Sequence, residues 1–203
     1  MLMREVIDQV FEESETIGIE FRADLKAIHE RDPAAYNLAA PFLHYKGFHA
    51  LQSYRVANWL WKSGRKGLAS HLQNRMSELF GVDIHPAATI GKGILIDHAT
   101  SVVIGETAVI EDDVSILHEV TLGGTGNTIG DRHPKVRKGV LIGAGAKVLG
   151  NVEIGEYSKI AAGSVVLTSI PPNSTAAGVP AKVIGKPFAD IPAYAMNQMI
   201  SRK

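Results

Sequence analysis

The stretch "GVLIGAGAKVLGNVEIGEYSKIAAGSVV", residues 139–166, places an aliphatic residue at every sixth position. The residues that mark this period are Ile142, Val148, Ile154, Ile160 and Val166. A period of six residues differs from the 3.6-residue period of a helix and from the two-residue period of an ordinary strand. The period is typical of a parallel β-helix, in which each hexapeptide forms a short strand and a corner, with the aliphatic side chain pointing inward. The stretch therefore predicts a β-helix.

The repeat extends toward the N-terminus as far as residue 84. In this register every hexapeptide position is aliphatic: Ile84, Ile90, Ile96, Val102, Ala108, Val114, Val120, Val136, Ile142, Val148, Ile154, Ile160 and Val166. If three hexapeptides make one turn, residues eighteen apart stack about 4.8 Å above each other, and the repeat makes roughly four turns. Gly91, Gly143 and Gly155 directly follow inward residues, where a tight corner benefits from the missing Cβ.

The register breaks once in this interpretation, between Val120 and Val136. The intervening residues 121–135, "TLGGTGNTIGDRHPK", are rich in glycine, asparagine and charge. We interpret them as one hexapeptide plus a ten-residue excursion, which gives a protruding loop at about residues 122–135. Loops that leave a repetitive scaffold commonly carry function, so we expect this loop to contribute to the functional site.

Helical spacing precedes the repeat. Apolar residues recur there at intervals of three and four, as in Ala50, Leu51, Tyr54, Ala57 and Leu60. Asp32 followed by Pro33 is typical of an N-cap with proline in the first turn of a helix. Gly64 and Gly81 lie where glycines that end helices are common. Several helices are therefore predicted before Gly81.

The predicted fold class is α+β, with two domains and a tail. Residues 1–81 are expected to form a helical domain, and residues 82–187 a β-helix with one protruding loop. The β-helix ends in a stretch rich in proline and glycine, "PPNSTAAGVPAKVIGKP". Residues 188–203 form a C-terminal tail without a strong pattern.

Composition excludes several classes of protein. The 203 residues carry 21 Lys and Arg against 21 Asp and Glu, without the basic excess of a nucleic-acid binder. The chain has no cysteine, which excludes disulfides, thiolate zinc sites and an acyl-cysteine intermediate. It has no signal-peptide pattern and no run of eighteen apolar residues. We therefore expect a cytoplasmic protein that does not bind membranes.

Two places in the repeat carry titratable side chains that suit catalysis. His98 lies two residues after the inward Ile96 and should face outward, where it is either a general base or a solvated surface histidine. Arg132 has the planar fork that binds a carboxylate, and His133 beside it can donate to a reacting oxygen. The alternative for this pair is an ordinary polar loop. The run "GGTG" at residues 123–126 offers backbone N–H groups but is a weak signal.

A metal site is not predicted. His85, His98 and His118 all lie in the repeat, as in β-helical zinc enzymes. With eighteen residues per turn, however, the residues stacked on His98 are Ile116 and Phe80, so no pair of ligands forms.

Several runs resemble the serine O-acetyltransferases, a family of hexapeptide-repeat acyltransferases. They are "VDIHPAATIG", "DHATSVVIGETAVI", "VTLGGTGNTIGDRHPK", "IGAGAKVLGNVEIG" and "AAGVPAKVIGKP". The resemblance covers about residues 30–187 and implies a left-handed β-helix after a helical domain, assembled as a trimer with active sites between subunits. The implied reaction moves the acetyl group of acetyl-CoA to the hydroxyl of L-serine, for cysteine biosynthesis. It implies acetyl-CoA as a co-substrate, no tightly bound cofactor and no metal.

The resemblance also implies roles for individual residues. His98 matches the general base, Asp83 the carboxylate that orients it, and His133 a further active-site histidine. Asp32 and Asp97 match the acids that hold the serine ammonium, and Arg132 matches the arginine that binds its carboxylate. The residues that match the CoA-binding positions are Gly124, Ala144, Ala162 and Lys182.

Other functions and partners stay open at this point. The same scaffold serves acetyltransferases that act on sugars or other hydroxyl acceptors, γ-type carbonic anhydrases and non-catalytic assembly proteins. The resemblance implies L-cysteine as a feedback inhibitor and either a homotrimer or a dimer of trimers. Family members that bind O-acetylserine sulfhydrylase end in isoleucine. This sequence ends Ile200-Ser201-Arg202-Lys203, so we do not expect that complex.

Overall fold

The N-terminal part of the chain is helical, as predicted. The structure is a computed structural model that describes residues 3–126 and 129–200. The helices before the repeat are α1 (Met3–Glu13), α2 (Ile17–Arg31), α3 (Ala39–His44), α4 (Lys46–Lys62) and α5 (Lys66–Phe80). Within the described ranges no helix is both long and apolar enough to cross a membrane.

Glycines end α4 and α5 at the predicted positions. Gly64 follows α4 with φ 79°, and Gly81 follows α5 with φ 66°, both in the left-handed region that glycine adopts without strain. The Gly81 N–H donates to the Ser77 carbonyl and so closes the last turn of α5. The first strand of the repeat begins directly afterwards, at Val82.

The prediction that Asp32 begins a helix is wrong. Asp32 follows the last residue of α2, with an extended backbone, and its N–H donates to the Ile28 carbonyl. Its Oδ1 accepts from the Ala34 N–H at 2.8 Å, which forms a local turn. Pro33 explains the difference, because the residue before a proline is disfavoured in the helical region, so Pro33 ends α2 rather than starting a helix.

Short strands follow, in the order expected of a solenoid. They are β1 (Val82–Ile84), β2 (Thr89–Ile90), β3 (Leu95–Ile96), β4 (Val102–Ile104), β5 (Val109–Ile110), β6 (Ser115–Ile116), β7 (Thr121–Gly123), β8 (Lys135–Val136), β9 (Leu141–Ile142), β10 (Lys147–Leu149), β11 (Glu153–Ile154), β12 (Lys159–Ile160), β13 (Val165–Val166), β14 (Thr175–Gly178) and β15 (Ala181–Gly185). After them only one short helix, α6 (Pro192–Ala195), occurs in the described residues.

These strands form three long sheets, one on each face of the solenoid. The first sheet has the order β1-β4-β7-β10-β13, the second β11-β8-β5-β2, and the third β15-β14-β12-β9-β6-β3. All pairs are parallel except β14 with β15. Five strands in the first sheet give about five turns, so the expectation of four was too low. The last turn is completed by β14, which follows the final hexapeptide of the repeat.

The core of the solenoid is the predicted aliphatic column. All thirteen hexapeptide positions identified in the sequence are buried. They belong to one continuous apolar cluster, which also includes Tyr54 and Met76 from the helices. The column therefore fills the interior of the solenoid. Tyr54 and Met76 extend the same cluster into the helical part and so pack the helices against the solenoid.

The repeat contains a second break in register that the sequence reading missed. Ile96 pairs with Ile116, twenty residues later, whereas Val103 pairs with Thr121, eighteen residues later. The corner at residues 97–102 is therefore two residues longer than the corresponding corner at residues 117–120. The backbone accommodates this length with left-handed conformations at His98, Ala99 and Ser101.

The large loop is the other break. Val109 pairs with Lys135, so this turn spans twenty-six residues, eight more than a regular turn. The excursion is thus eight residues rather than the ten expected, because the earlier break accounts for two. Residues 124–134 connect β7 to β8. The predicted loop includes Asn127 and Thr128, which lie outside the described residues.

Close approach between turns explains the corner glycines. A Cβ added to Gly143 would lie 2.6 Å from the Ala162 nitrogen, and one added to Gly155 would lie 2.3 Å from the Pro172 nitrogen. Neither glycine has a positive φ, so what requires glycine here is the neighbouring backbone. The prediction that these corners need a residue without Cβ is confirmed.

A buried ion pair attaches the helices to the solenoid. Asp24 on α2 is fully buried and accepts hydrogen bonds from Arg55 Nε at 2.8 Å and from the Ile94 N–H at 3.0 Å. Arg55 on α4 also donates to the Gly91 carbonyl at 2.7 Å. Because Gly91 and Ile94 flank one corner of the first turn, the pair fixes α2 and α4 against it.

The C-terminal segment folds back onto α2 and onto β6 of the solenoid. Arg31 lies over the Tyr194 ring of α6 at 4.2 Å, and Ser115 Oγ donates to the Ala193 carbonyl at 2.8 Å. Residues 201–203, on which the expectation about the sulfhydrylase complex depends, lie outside the described residues.

We predict that Asp24→Ala destabilises the protein by about 3 to 5 kcal/mol, because it leaves the Arg55 guanidinium buried without its carboxylate. Thermal or urea unfolding measures this change. The matched control is Glu20→Gln, which removes the other, more exposed carboxylate that contacts Arg55 and should cost far less. Equal losses in the two variants would contradict the role given to Asp24.

Candidate active site

The residues predicted for the site lie in two groups at different corners of the solenoid. The His98 group comprises Asp32, Tyr45, Asp97, His98 and His118, at the corner between the third sheet and the first. The Arg132 group comprises Asp83, His85, Glu106, Arg132 and His133, at and beside the corner between the first sheet and the second. Among the described residues, no hydrogen bond, ion pair or ring contact joins the two groups.

The start of α4 holds the backbone of the His98 group. A Cβ added to Gly47 would lie 2.0 Å from the Ile96 carbonyl oxygen, so the helix lies directly against β3. Between them is a cavity of about 380 Å³ whose polar lining includes Asp32, Tyr45, Lys46, Asp97 and His98. The turn after α2 brings Asp32 into this cavity, which the lengthened corner borders on its other side.

The side chains of Asp97 and His98 are neighbours that do not hydrogen-bond each other. The Nε2 of His98 lies 3.8 Å from Asp97 Oδ1, and the His98 side chain is 74% exposed. His98 therefore faces outward, as predicted. Burial raises the pKa of Asp97, and the Asp32 carboxylate adds to the rise while His98 opposes it. A cation bound beside these two carboxylates would favour the charged form of Asp97.

His118 lies beside His98 in the next turn of the solenoid, where Ile116 was expected. The two rings are perpendicular with centroids 5.7 Å apart. The reason is the twenty-residue first turn, which places position 118 rather than 116 above position 98. The Nδ1 of His118 is buried and has no hydrogen-bond partner in the described structure. Across residues 3–126 and 129–200, no group of three or more His, Cys, Asp or Glu side chains is placed to hold a metal ion.

An ion pair and a buried imidazole define the Arg132 group. Arg132 Nη2 donates to Glu106 Oε2 at 2.7 Å, and this hydrogen bond lowers the pKa of Glu106. Beside it, the His133 ring packs on the Gly105 backbone, where a Cβ would lie 2.0 Å from its Nε2. The sequence analysis assigned no role to Glu106, and it gave no signal for Gly105.

The tautomer of His133 follows from its contacts. The Thr107 N–H donates to His133 Nδ1 at 3.1 Å, so this nitrogen is an acceptor and a neutral ring carries its proton on Nε2. Burial lowers the pKa of His133, and the positive charge of Arg132 lowers it further. The ring is therefore a neutral donor at its Nε2 edge, beside Gly124 of the loop. Thr107 is a site residue that sequence reasoning missed.

Asp83 lies with the Arg132 group rather than beside His98. It pairs with Val103 in the first sheet and accepts a hydrogen bond from Gln73 at 2.7 Å. Burial lowers the pKa of His85, and the negative charges of Glu106 and Asp83 oppose that decrease. Asp83 is therefore close enough to His85 to interact with its charge. The expected contact between Asp83 and His98 is not formed within one chain, because His98 belongs to the corner that precedes the neighbouring strand.

The positions predicted to bind CoA also divide between the corners. Ala144 and Ala162 lie one above the other on the edge that carries His98 and His118, and the Gly163 N–H donates to the Ala144 carbonyl. Lys182 is in β15 at the far end of the solenoid, where it pairs with Ala177. Gly124 lies beside His133 at the other corner. A CoA molecule that contacts all four must therefore lie between two corners.

Comparisons with family models match both parts of the chain. Residues 1–53 match the model "Serine acetyltransferase, N-terminal", and residues 133–168 match "Bacterial transferase hexapeptide (six repeats)".

Curated proteins and solved structures agree with these models. The serine acetyltransferase of Salmonella typhimurium is 58% identical over 97% of this chain and 72% of its own length, and that of Escherichia coli K12 is 57% identical over the same shares. The Vibrio cholerae serine acetyltransferase structure matches with a TM-score of 0.96 at 58% identity, covering 97% of this chain and 76% of its own.

Two further solved relatives carry ligands. A serine acetyltransferase complex with cysteine matches with a TM-score of 0.95 at 55% identity, covering 98% of this chain and 77% of its own. The Brucella abortus enzyme in complex with coenzyme A matches with a TM-score of 0.89 at 57% identity, covering 90% and 73%. With a helical domain, a hexapeptide solenoid and relatives of this similarity over almost its whole length, the chain belongs to the serine acetyltransferase family.

Proposed function

We propose that this protein transfers the acetyl group of acetyl-CoA directly to the hydroxyl of L-serine, with His98 as the general base. The observation that carries the activity is the 58% identity to a curated serine acetyltransferase over 97% of the chain. The products are O-acetyl-L-serine, a precursor for cysteine synthesis, and CoA. Acetyl-CoA is a charged molecule that does not diffuse through membranes, and we place the reaction in the cytoplasm.

The two groups supply complementary partners for an amino acid. Asp32 and Asp97, two carboxylates at one cavity, are suited to the serine ammonium, whose charge relieves their mutual repulsion. Arg132 is suited to the serine carboxylate through its planar fork and must then share its guanidinium with Glu106. A sugar acceptor has neither charge, which is why we favour serine over that alternative.

The proposed transfer needs no covalent enzyme intermediate. His98 takes the serine hydroxyl proton as the oxygen attacks the thioester carbon. When the C–S bond breaks, the imidazolium of His98 gives this proton to the CoA thiolate. The chain has no cysteine to carry the acetyl group, in accord with direct transfer. The Nε2–H of neutral His133 is our candidate donor to the oxyanion.

We further propose that each complete site forms between two subunits of a trimer. His98 of one subunit would face the partner subunit's Asp83, Arg132 and His133. The separation of the two groups within one chain supports this arrangement, because neither group alone holds a base and both amino-acid partners. CoA bound along the same boundary would contact Ala144 and Ala162 on one side and Gly124 on the other.

L-Cysteine is our proposed feedback inhibitor. It differs from L-serine only in its thiol, so Asp32, Asp97 and Arg132 would hold it in the same way. A solved serine acetyltransferase of 55% identity is a complex with cysteine. Binding at the acceptor site would make the inhibition competitive with serine.

Replacing the base is the first test. His98→Asn keeps the side-chain size but removes the base, and we expect kcat to fall by about 10² to 10⁴ while the KM for acetyl-CoA stays unchanged. CoA release with L-serine as acceptor measures the rate. His71→Asn, on the exposed surface of α5, is the matched control and should keep full activity. Full activity in His98→Asn would refute the base assignment.

Acceptor analogues test the amino-acid groups. Ethanolamine lacks the carboxylate and 3-hydroxypropionate lacks the ammonium, and each should lower kcat/KM by at least about 100-fold relative to L-serine. Arg132→Leu should remove most of the preference for L-serine over ethanolamine, since its partner in the substrate is the carboxylate. A sugar acetylated faster than L-serine would favour the alternative function.

Mixed trimers test the shared site. When His98→Ala and Arg132→Ala subunits, each nearly inactive, are co-expressed with different tags, random assembly gives about one quarter of the sites two intact halves. Each purified mixed trimer has one such site out of three, so the mixed trimers should have about one third of the wild-type activity. The control mixture, His98→Ala with Asp97→Ala, alters the same group twice and should only average the two variants. Averaging in the first mixture as well would place the site within one chain.

A further inference from the structure

We propose that Thr107 is a positioning residue for the reaction: its hydroxyl docks the Arg132–His133 dipeptide and holds His133 in the tautomer that donates from Nε2. This inference rests on the proposed function only for its kinetic consequence. Thr107 lies in the corner between β4 and β5, in the turn before the large loop returns to the solenoid. It has no charge and belongs to no recognisable catalytic pattern.

The Thr107 hydroxyl receives the backbone at the end of the loop. Its Oγ1 accepts the Arg132 N–H at 3.0 Å and the His133 N–H at 3.1 Å. Neither N–H has a backbone acceptor among the described residues. Arg132 and His133 are twenty-five and twenty-six positions away from Thr107 in sequence. These two bonds attach the backbone of the loop to the preceding turn, and the side chains of Arg132 and Lys135 add further contacts with that turn. Pro134, which follows, accepts from the Val109 N–H and continues the attachment.

Counting hydrogens fixes the direction of the remaining contact. A threonine hydroxyl has one hydrogen and two lone pairs, and the two backbone N–H groups occupy the lone pairs. The hydrogen is then left to donate, and its acceptors are His133 Nδ1, which lies 2.9 Å from Oγ1, and the Asp131 carboxylate, which also contacts the Thr107 side chain. The Thr107 N–H approaches the same nitrogen at 3.1 Å. Two donors thus face Nδ1, and a proton on that nitrogen would face both of them.

This arrangement keeps His133 neutral and oriented. The charged groups around the ring are Arg132, Glu106, Lys135 and His85, with Asp131 paired to Lys135. Lys135 Nζ also donates to the Thr107 carbonyl at 2.8 Å, so it is fixed on the same residue. Removing the hydroxyl would leave two backbone N–H groups without an acceptor. It would also leave Nδ1 facing the Thr107 N–H without the hydroxyl, which weakens the preference for a proton on Nε2. The pKa of His133 would then rise toward its ordinary value.

The experiment compares Thr107→Val, which keeps the shape and removes the hydroxyl, with Thr107→Ser, which keeps the hydroxyl. We expect Thr107→Val to lower kcat by about 10- to 100-fold and to raise the KM for L-serine, because Arg132 and His133 both shift. Thr107→Ser should stay within about threefold of wild type, because its hydroxyl still accepts both backbone N–H groups and keeps Arg132 and His133 in place. Thr89→Val, the same change on the exposed side of β2, is the matched control and should leave kcat unchanged.

A direct readout comes from ¹⁵N-labelled histidine in the full-length protein, with the His133 signal assigned from its absence in His133→Asn. Wild type should show a neutral ring with hydrogen on Nε2 and a lowered pKa. In Thr107→Val we expect both tautomers and a higher pKa, and in Thr107→Ser the wild-type pattern. Should Thr107→Val not fold, Thr107→Ala replaces it, with near-UV circular dichroism as the check.

Two outcomes overturn the inference: an unchanged His133 tautomer and pKa in the folded variant without the hydroxyl, or equal kinetics in Thr107→Val and wild type. Failure of the proposed function gives a different result. In that case wild type does not acetylate L-serine, yet the tautomer measurement still reports on Thr107. If wild type is active and His98→Asn is not, unchanged behaviour of Thr107→Val rejects the role of Thr107 alone.

Discussion

Successive turns of the solenoid are held at one spacing by parallel backbone hydrogen bonds, and this constraint decides which side chains meet. Ile142 must lie beside Ile160, and Gly143 must leave room for the backbone of Ala162. The aliphatic column fills the interior, so each corner can vary only outward. The polar side chains that the solenoid contributes to the candidate site therefore lie on its outer surface, mainly at the corners and in the loop, where they do not enter the core.

The helical part and one corner of the solenoid together form the cavity beside His98. Gly47 brings α4 against the Ile96 carbonyl, and the end of α2 delivers Asp32 to the cavity beside Asp97. The buried pair of Asp24 and Arg55 holds both helices in that position. A carboxylate from a helix and a carboxylate from the solenoid thus share one cavity, which neither part forms alone.

Much of the architecture was predictable from spacing, and two of the misses, the first register break and the residue beside His98, have a common cause. The first register break was hidden because Val102, Ala108, Val114 and Val120 are also inward, at the small-residue positions near the corners. A reading in steps of six slipped by two residues and still met only aliphatic side chains. Which residue stacks on His98 depends on the number of residues per turn, so that error carried over to His118. Thr107 was missed because one threonine in a corner has no pattern, and its role depends on a loop returning from a distant part of the chain.

The two additional residues at the corner of residues 97–102 show that chain length, as well as residue identity, determines the chemistry of an edge. The same side chains in a turn of eighteen residues would be offset by two positions against the next turn, and His98 would no longer face His118. In a solenoid, a short insertion at a corner can therefore change the surroundings of a catalytic group while every core residue and every side chain of the site is retained. Proteins of this architecture that agree at all aligned site positions but differ in corner length accordingly place different neighbours beside the same side chain at that edge.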